Sequence, residues 1–296
     1  MAKVLMRRTE MWRCDTETEA QEVIKAATAE GGDLTKKTIE VKTKKAKGQI
    51  VDENLRVTVQ VDYAGQFETE QRVMVVVVPM HAYVENGPDA ENLLGQIERA
   101  GRTCYKSEGK IGDGSAEKFI ASIIKRGHES VLEHGAITAR FIVDRGVTHE
   151  LVRHRIASFS QESTRYCNYG NDQFGGCITV CAPTFWDRER SDDERIKLEV
   201  WLEAMQDANK HYMKLLELGA KPQEARSVLP QSTKAEIVVT MNPREWRHFF
   251  KMRCSAAAHP DIRSAALTLL KEMHNFYPVL FDDLYDEFCT ASSAEA

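Results

Sequence analysis

The 296-residue chain has 42% hydrophobic and 29% charged residues, an ordinary composition for a globular protein. Its formal net charge of −5 excludes a global basic field that would draw it onto nucleic acid or an anionic membrane, so an anionic ligand requires a local cluster of Arg or Lys. Its seven cysteines are scattered without a C-x-x-C pair, which excludes a disulfide framework or a zinc ribbon and predicts reduced thiols in the cytoplasm.

The first 66 residues predict a small α+β domain with the order β-α-β-β, followed by a polar linker over residues 64–71. Asp15 is a suitable N-cap for the helix, and Gly31 and Gly32 stop it. The two later strands alternate apolar or β-branched residues with charged ones, as half-exposed strands do. The predicted elements are a strand at 3–14, a helix at 16–29 and strands at 38–44 and 55–63. The sequence indicates no role for this domain.

A second domain is predicted over residues 72–290, and it begins with the apolar run 72–79. That run suits a buried strand and is far too short to span a membrane. The helices that follow are recognised by Ser, Asp or Pro at their start and Gly after their end. They are expected at 88–101, 116–126, 147–155 and 191–218, after Pro222, after Pro243 and at 260–288 with a bend at Pro278, with one strand at 136–143.

Three consecutive basic residues, Arg153, His154 and Arg155, end the predicted helix 147–155. Side chains two positions apart on a helix diverge by about 160°, so the two arginines cannot hold one phosphate from a regular helix. Either the helix ends before them or they serve different ligands. The next residues, SFSQES at 158–163, predict a loop whose backbone N–H groups and hydroxyls bind phosphate, aided by Arg165. A solvated basic helix end explains the same residues equally well.

A second cationic stretch, residues 225–263, interleaves arginines with Trp246, Phe249 and Phe250. Such rings stack on planar ligands while arginines bind anionic groups, which suits a nucleotide. The alternative is an amphipathic helix with an aromatic core face.

Metal and Rossmann motifs are excluded by spacing. His149-Glu150 with His154 resembles H-E-x-x-H, but the second His is at i+5, and helical side chains so spaced lie about 140° apart. No metal site is therefore predicted. The G-x-S-x-G, P-loop and G-x-G-x-x-G motifs do not occur, so a dinucleotide would bind without the Rossmann phosphate turn.

Five segments in a fixed order resemble the flavin-dependent thymidylate synthase family. The family's signature is Arg-His-Arg, seven residues, then Ser, which here runs from Arg153 to Ser163 and continues to Tyr166. The other segments are RTCYKS at 102–107, GHESVLEH at 127–134, ARSVLP at 225–230 and the region 242–263. The resemblance covers about residues 73–284. It implies an α+β fold with a helix-flanked sheet, and a homotetramer with active sites at subunit interfaces.

The resemblance also implies the reaction and the residues that carry it. The reaction is reductive methylation of dUMP to dTMP, with FAD for hydride transfer, NADPH as reductant and methylenetetrahydrofolate as carbon donor. Flavin contacts are implied for Ser130, Arg153, His154, Arg155, Gln161, Asn242, Arg244 and His248. Nucleotide contacts are implied for Glu150, Arg153, Gln161, Ser163, Arg165, Arg226 and Arg253. Of these, Arg253 and Ser163 are the catalytic candidates: Arg253 faces the pyrimidine and favours ionisation of nitrogen 3, whereas Ser163 binds substrate and is not a nucleophile.

Two departures from the family pattern keep a related reaction open. Glu150 stands where the family often has Gln, and Ala257 stands where it often has His, with His259 two residues later. Methylation or hydroxymethylation of UMP or dCMP at carbon 5 is therefore the alternative enzyme hypothesis. A flavin-binding homologue without catalysis is another. A nucleic-acid-binding module is disfavoured by the net charge and by the absence of a contiguous basic stripe.

Overall fold

A computed structural model describes residues 3–14, 17–28, 33–46, 49–66, 75–187 and 189–290. The predicted Asp15 cap, the glycine stop at 31 and 32, linker residues 67–71 and the start of the predicted strand 72–79 lie outside these residues. The chain forms two compact units. The first comprises Met1–Pro79, Thr164–Ala182 and Ser191–Thr233, and the second comprises Met80–Ser163, Pro183–Arg190 and Lys234–Ala296.

The N-terminal part of the first unit has the predicted β-α-β-β order. It consists of β1 (Lys3–Cys14), α1 (Glu17–Thr28), β2 (Asp33–Ala46) and β3 (Gln49–Gln66). The strands form an antiparallel sheet in the order β1-β3-β2, with Lys3 opposite Gln66 and Cys14 opposite Leu55. Strand β3 runs to Gln66 and so includes residues 64–66 of the predicted linker. Pairing with β1 provides hydrogen-bond partners for the backbone N–H and C=O groups, and this does not depend on the type of side chain.

The rest of the first unit packs a long helix against a short parallel strand pair. Strands β4 (Val76–Val78) and β8 (Thr179–Cys181) pair in parallel. Helix α5 (Asp192–Glu217) matches its prediction and begins at Ser191, whose hydroxyl accepts from the backbone N–H of Glu194. Helix α6 (Pro222–Ala225) follows. The β4 side chains are half-buried on both faces rather than fully buried as predicted, whereas Val75, directly before the strand, is completely buried.

The second unit is built on an antiparallel sheet in the order β5-β6-β9-β7. Its strands are β5 (His81–Asn86), β6 (Ile137–Asp144), β7 (Ala157–Gln161) and β9 (Lys234–Met241). Along β6 and β9 every second side chain is buried, so one face of the sheet lies in the core. At one end of the β7–β9 pair, Ala157 lies opposite Met241. Of these four strands, only β6 is predicted from the sequence; β5, β7 and β9 are not.

The second unit contains six α-helices among the described residues. They are α2 (Ala90–Thr103), α3 (Ser115–Lys125), α4 (Arg145–Leu151), α7 (Pro243–Arg253), α8 (Pro260–Phe276) and α9 (Pro278–Tyr285). Of these, α4 and α8 contact the strands most extensively. A proline opens each of the last three, and the predicted interruption at Pro278 is confirmed. The α+β prediction is thus confirmed. Among the described residues, no helix is both long and apolar enough to cross a membrane.

Candidate active site

The Arg-His-Arg motif lies in the turn between α4 and β7. Helix α4 ends at Leu151, so the first of the two predicted alternatives is correct and both arginines lie beyond the helix. His154 is buried, whereas Arg153 and Arg155 are exposed on either side of it. The turn therefore points its imidazole inward and its two guanidinium groups outward.

The segment SFSQES is not the loop that its composition predicts. Residues up to Gln161 belong to strand β7, which pairs with β9 at the edge of the sheet. Tertiary pairing with a neighbouring strand outweighs its weak β propensity. The chain leaves the sheet at Glu162, whose backbone N–H still donates to the Glu236 carbonyl at 2.8 Å.

Arg253, the last residue of α7, meets the Arg-His-Arg turn directly. Its Nη1 donates to Glu150 Oε2 at 2.6 Å, its Nη2 to the Glu150 carbonyl at 3.2 Å and its Nε to His154 Nε2 at 3.1 Å. A guanidinium has five N–H groups. Within the described residues, these bonds use three and leave two for a ligand, on a side chain that is only 15% exposed. A fixed cation with spare donors is suited to stabilising developing negative charge.

His154 is neutral at physiological pH. Burial, together with the nearby positive charge of Arg253 and His248, lowers its pKa to about 4. Its Nδ1 lies 3.3 Å from Glu245 Oε1, and its ring makes edge contacts with His248 and Phe249. Burial also raises the pKa of Glu245, while His248 and Arg244 lower it.

The depressed pKa of His154 makes stability depend on pH. The unfolded chain, with an ordinary His pKa of 6.5, binds more protons between pH 6.5 and 4, so stability rises with pH across this window and is lost on acidification. Between pH 7 and pH 5 we expect His154 to account for a loss of about 2 kcal/mol in the free energy of unfolding. Urea unfolding at both pH values should show a smaller loss in His154→Gln than in wild type. The exposed His211→Gln serves as control, and an equally large loss in His154→Gln would contradict the assignment.

Three potential metal ligands meet near this turn: His154, Glu245 and His248 lie with their ligand atoms within 4.8 Å of one another. Both ring nitrogens of His154 already have partners, since Nε2 accepts from Arg253 and Nδ1 faces Glu245. A cation on Nε2 would have to displace the Arg253 guanidinium, and a cation on Nδ1 would have to replace the proton between His154 and Glu245. We therefore interpret the group as a hydrogen-bonded cluster.

A cavity of about 410 Å³ opens beside the N-terminal end of α7. It is lined by Glu129, Glu133, Ile156, Asn242, Arg244, Glu245, His248 and Lys251. Three of the implied flavin contacts, Asn242, Arg244 and His248, are thus brought together. Asn242 caps α7 by accepting from the Glu245 N–H through Oδ1, a bond that does not use its amide nitrogen. Arg244 donates to Glu133 at 2.6 Å, and both side chains are about half exposed.

The other five implied flavin residues do not line this cavity within the described part of the chain; they are Ser130, Arg153, His154, Arg155 and Gln161. Ser130 is exposed, like the two arginines. Gln161 donates through Nε2 to Thr148 Oγ1 at 3.0 Å, which ties the end of β7 to α4.

The turn between Gln161 and Ser163 is anchored by charges. Lys234 donates through Nζ to Glu162 Oε2 at 2.9 Å and to Glu236 Oε1 at 3.0 Å. These two carboxylates raise the pKa of Lys234 against the opposing effect of burial. This partly buried ion pair therefore fixes the turn that carries Gln161 and Ser163, two of the implied nucleotide contacts.

Two of the implied nucleotide residues belong to the first unit. Arg226 donates through Nη1 to Thr164 Oγ1 at 3.3 Å, and the Arg165 guanidinium lies 5.4 Å from the centre of the Tyr166 ring. The structure thus joins Arg226 to the segment that follows Ser163. Ser163, Glu150 and Arg253 belong to the second unit.

The aromatic residues of α7 do not face a ligand. Trp246, Phe249 and Phe250 are completely buried and pack against one another and against Phe141. The expectation that they stack on a planar ring is wrong, and the alternative of an aromatic core face is correct. The helix thereby holds its polar residues in place by burying its other side.

Cys254 directly follows Arg253 and is buried. Burial raises the pKa of its thiol to about 12, so it is protonated at neutral pH and a poor nucleophile.

Sequence reasoning missed Glu245, Glu162 and Lys234. The only local signal for Glu245 is its place three residues after the Asn242 cap, which is a capping-box spacing and indicates helix formation, not contact with His154. Lys234 and Glu162 are 72 positions apart, and no pattern in the sequence connects them.

Comparison with known proteins gives one consistent family. The family described as "Thymidylate synthase complementing protein" matches residues 87–279. A flavin-dependent thymidylate synthase from Geobacter sulfurreducens is 35% identical over 209 residues, covering 68% of this chain and 85% of its own. One from Corynebacterium glutamicum is 34% identical over 220 residues, covering 68% and 84%. The crystal structure of a UMP/dUMP methylase, PolB from Streptomyces cacaoi bound with 5-Br dUMP, is similar in fold with a TM-score of 0.59 at 24% identity, covering 72% and 97%.

Proposed function

This chain belongs to the flavin-dependent thymidylate synthase family, and on that premise we propose that it converts dUMP to dTMP by reductive methylation. The observation that carries the proposal is the fixed position of Arg253, whose guanidinium is held by Glu150 and His154 with two donors to spare. That arrangement joins the family's Arg-His-Arg segment to an arginine almost one hundred residues away.

Arg253 would act on the pyrimidine by electrostatics. Methylation at carbon 5 requires an electron-rich ring, so negative charge must develop at nitrogen 3 and the neighbouring carbonyl oxygen. A guanidinium already fixed beside that position stabilises the charge without reorganising. Three protein bonds fix Arg253 before any ligand binds, which supports this role.

The remaining nucleotide residues would orient the substrate. Arg165 and Arg226 are suited to the 5′-phosphate because a guanidinium binds phosphate through two parallel hydrogen bonds. Gln161, Ser163 and Arg153 would complete the site, with Ser163 on the turn that Lys234 anchors through Glu162. Orientation of this kind removes much of the entropic barrier to reaction.

The cavity beside α7 fits part of a flavin dinucleotide. Arg244, which is paired with Glu133, and Lys251 supply positive charge in a lining that also has three carboxylates. Asn242 and His248 supply polar contacts, and the exposed Ile156 supplies an apolar surface. We assign FAD to this cavity, with Ser130, Arg153, His154, Arg155 and Gln161 as the further implied contacts. FAD would supply the hydride transfer that no side chain can perform, with NADPH as reductant and methylenetetrahydrofolate as carbon donor.

A second candidate is methylation of UMP, because the structurally similar PolB is described as a UMP/dUMP methylase. Glu150 also bears on this choice. Its carboxylate is engaged with Arg253 at 2.6 Å, so it neutralises part of the charge that would face the pyrimidine. Hydroxymethylation, or action on dCMP, belongs to the same alternative.

The decisive test is turnover by the purified full-length protein supplied with FAD, NADPH and methylenetetrahydrofolate. We expect a yellow protein that forms dTMP from dUMP at least tenfold faster than it methylates UMP or dCMP. If the protein forms no dTMP from dUMP but turns over UMP or dCMP, the alternative reaction on those nucleotides is established. A colourless protein that cannot be reconstituted with FAD would contradict both.

We also propose a homotetramer with active sites at subunit interfaces, and residues 1–66 as an accessory domain. Ile196 and Val200 lie one turn apart on α5 and are both exposed, so this small apolar surface is a candidate for a subunit contact. The three strands β1, β2 and β3 form a sheet of their own, and the family match begins only at residue 87, which supports a separate N-terminal domain.

A further inference from the structure

We propose that Glu245 is a positioning residue, which acts through His154 to hold Arg253 in the orientation that meets the pyrimidine. The inference rests on the proposed function only for what Arg253 does, and not for how it is held. Arg253 Nε lies 3.1 Å from His154 Nε2, and His154 Nδ1 lies 3.3 Å from Glu245 Oε1. The three side chains thus form a continuous relay from one end of α7 to the other.

The direction of each bond follows from chemistry. A guanidinium can only donate, so His154 Nε2 must be the acceptor and carry no proton. A neutral imidazole has one proton, which must then be on Nδ1. The group that faces Nδ1 must accept, and a carboxylate oxygen of Glu245 lies there. Glu245 therefore stabilises, together with Arg253, the one tautomer of His154 that can receive the Arg253 N–H.

Glu245 is well placed to do this because it is itself immobilised. Its side chain is nearly buried, and its backbone N–H donates to the Asn242 cap at 2.9 Å. It occupies the first turn of α7, whereas Arg253 is the last residue of the same helix. His154 enters from the turn after α4, so the relay ties that turn to both ends of α7.

The surrounding charges leave Glu245 as the acceptor for Nδ1. His248 and Arg244 face Glu245, and both are donors or potential donors. Arg253 and His248 face His154, and Glu150 faces Arg253. Without Glu245, the Nδ1–H loses its acceptor and the preference for the Nδ1-protonated tautomer weakens, and any proton that moves to Nε2 would face the Arg253 N–H donor against donor. Arg253 would keep its bonds to Glu150 and tilt, and a small misplacement of this kind can cost about 100-fold in rate.

The tautomer is measured directly by ¹⁵N NMR of ring nitrogens in protein labelled at histidine. The chain has nine histidines, and the spectrum of His154→Gln identifies the signal of His154. We expect Nδ1 protonated in wild type and in Glu245→Gln, whose amide oxygen also accepts. Glu245→Met, which fills the same space without an acceptor, should shift the proton to Nε2, and Glu245→Ala is the second variant if the Met protein does not fold.

Turnover with dUMP should follow the tautomer. We expect kcat to fall by about 10- to 100-fold in Glu245→Met and to stay within about threefold of wild type in Glu245→Gln, with flavin retained in both. Glu272→Ala is the matched control, because it removes another partly buried carboxylate that accepts a backbone N–H, from Val84 at 3.0 Å, in the same unit. It should change neither the His154 signal nor kcat.

The outcomes separate this inference from the proposed function. An Nδ1-protonated His154 in both Glu245→Met and Glu245→Ala would overturn the relay, and so would wild-type turnover in both despite a shifted tautomer. A wild-type protein that forms no dTMP but shows the expected tautomer change would refute the proposed function and leave the relay standing.

Discussion

Replacing Arg253 by alanine should lower kcat for dTMP formation by about 100- to 1,000-fold while the protein keeps its flavin. The loss follows from removing a cation that the protein fixes before substrate binds. Its three bonds, to two atoms of Glu150 and to His154, leave it no freedom to reorganise as charge develops on the pyrimidine. Steady-state kinetics with dUMP, and the flavin absorption band of each purified protein, provide the measurement.

Two further variants sharpen this test. Arg253→Lys keeps the charge but not the planar fork, so it cannot hold Glu150 and His154 together and should recover little of the lost rate. Arg195→Ala removes an arginine from an exposed ion-pair network on α5 and should leave kcat unchanged. Turnover near the wild-type rate in Arg253→Ala would show that the assignment is wrong.

Replacing Trp246 by alanine should lower the free energy of unfolding by about 3–5 kcal/mol. The indole is completely buried, packs on Phe141, Phe249 and Phe250, and donates through Nε1 to the Ile137 carbonyl at 3.0 Å. Its loss leaves a large cavity and removes the hydrogen bond to the buried Ile137 carbonyl. Urea unfolding at pH 7 measures the change, and turnover should fall as well because α7 carries Arg253.

Two control variants separate the cavity from the hydrogen bond. Trp246→Phe keeps a ring in the cluster but loses the hydrogen bond to the Ile137 carbonyl, so it should cost about 0.5–1.5 kcal/mol. Trp201→Ala removes a half-buried indole from the first unit, whose Nε1 donates to Ser232 Oγ, and should cost less than Trp246→Ala. A loss below about 1 kcal/mol in Trp246→Ala would show that the aromatic cluster does not hold α7 in place.

Local signals in the sequence predict those helices whose first residues are capping residues or prolines. Ser191 and three acidic residues predict the start of α5, and Pro278 predicts the break between α8 and α9. The edge strand β7 could not be predicted, because SFSQ has little β propensity and becomes a strand only through pairing with β9. Strand β9 alternates between buried and half-buried residues as a strand should, but the stronger helix signals on either side of it dominate the local pattern.

For the site, too, the sequence predicts individual residues but not the contacts between residues that are far apart in the chain. Resemblance to a family selected Arg253, Glu150 and His154, but their mutual bonds join residues 99 and 103 positions apart, which no periodicity reveals. The aromatic residues of α7 were assigned to a ligand because rings at helical spacing fit a core face and a stacking surface equally well. Only the packing of α7 on the sheet distinguishes the two.

The pairing of Ala157 with Met241 has a consequence for how this protein can change in evolution. Ala157 is the second residue after the Arg-His-Arg motif, and Met241 directly precedes the Asn242 cap of α7. This single residue pair of the sheet therefore sets the distance between the Arg-His-Arg motif and the segment that begins at Asn242, which are distant in sequence. An insertion or deletion of a single residue at either place would move one motif past the other, whereas the exposed stretch from Lys106 to Gly114 can vary in length. Length variation among relatives should thus concentrate in such stretches and avoid both flanks of this residue pair.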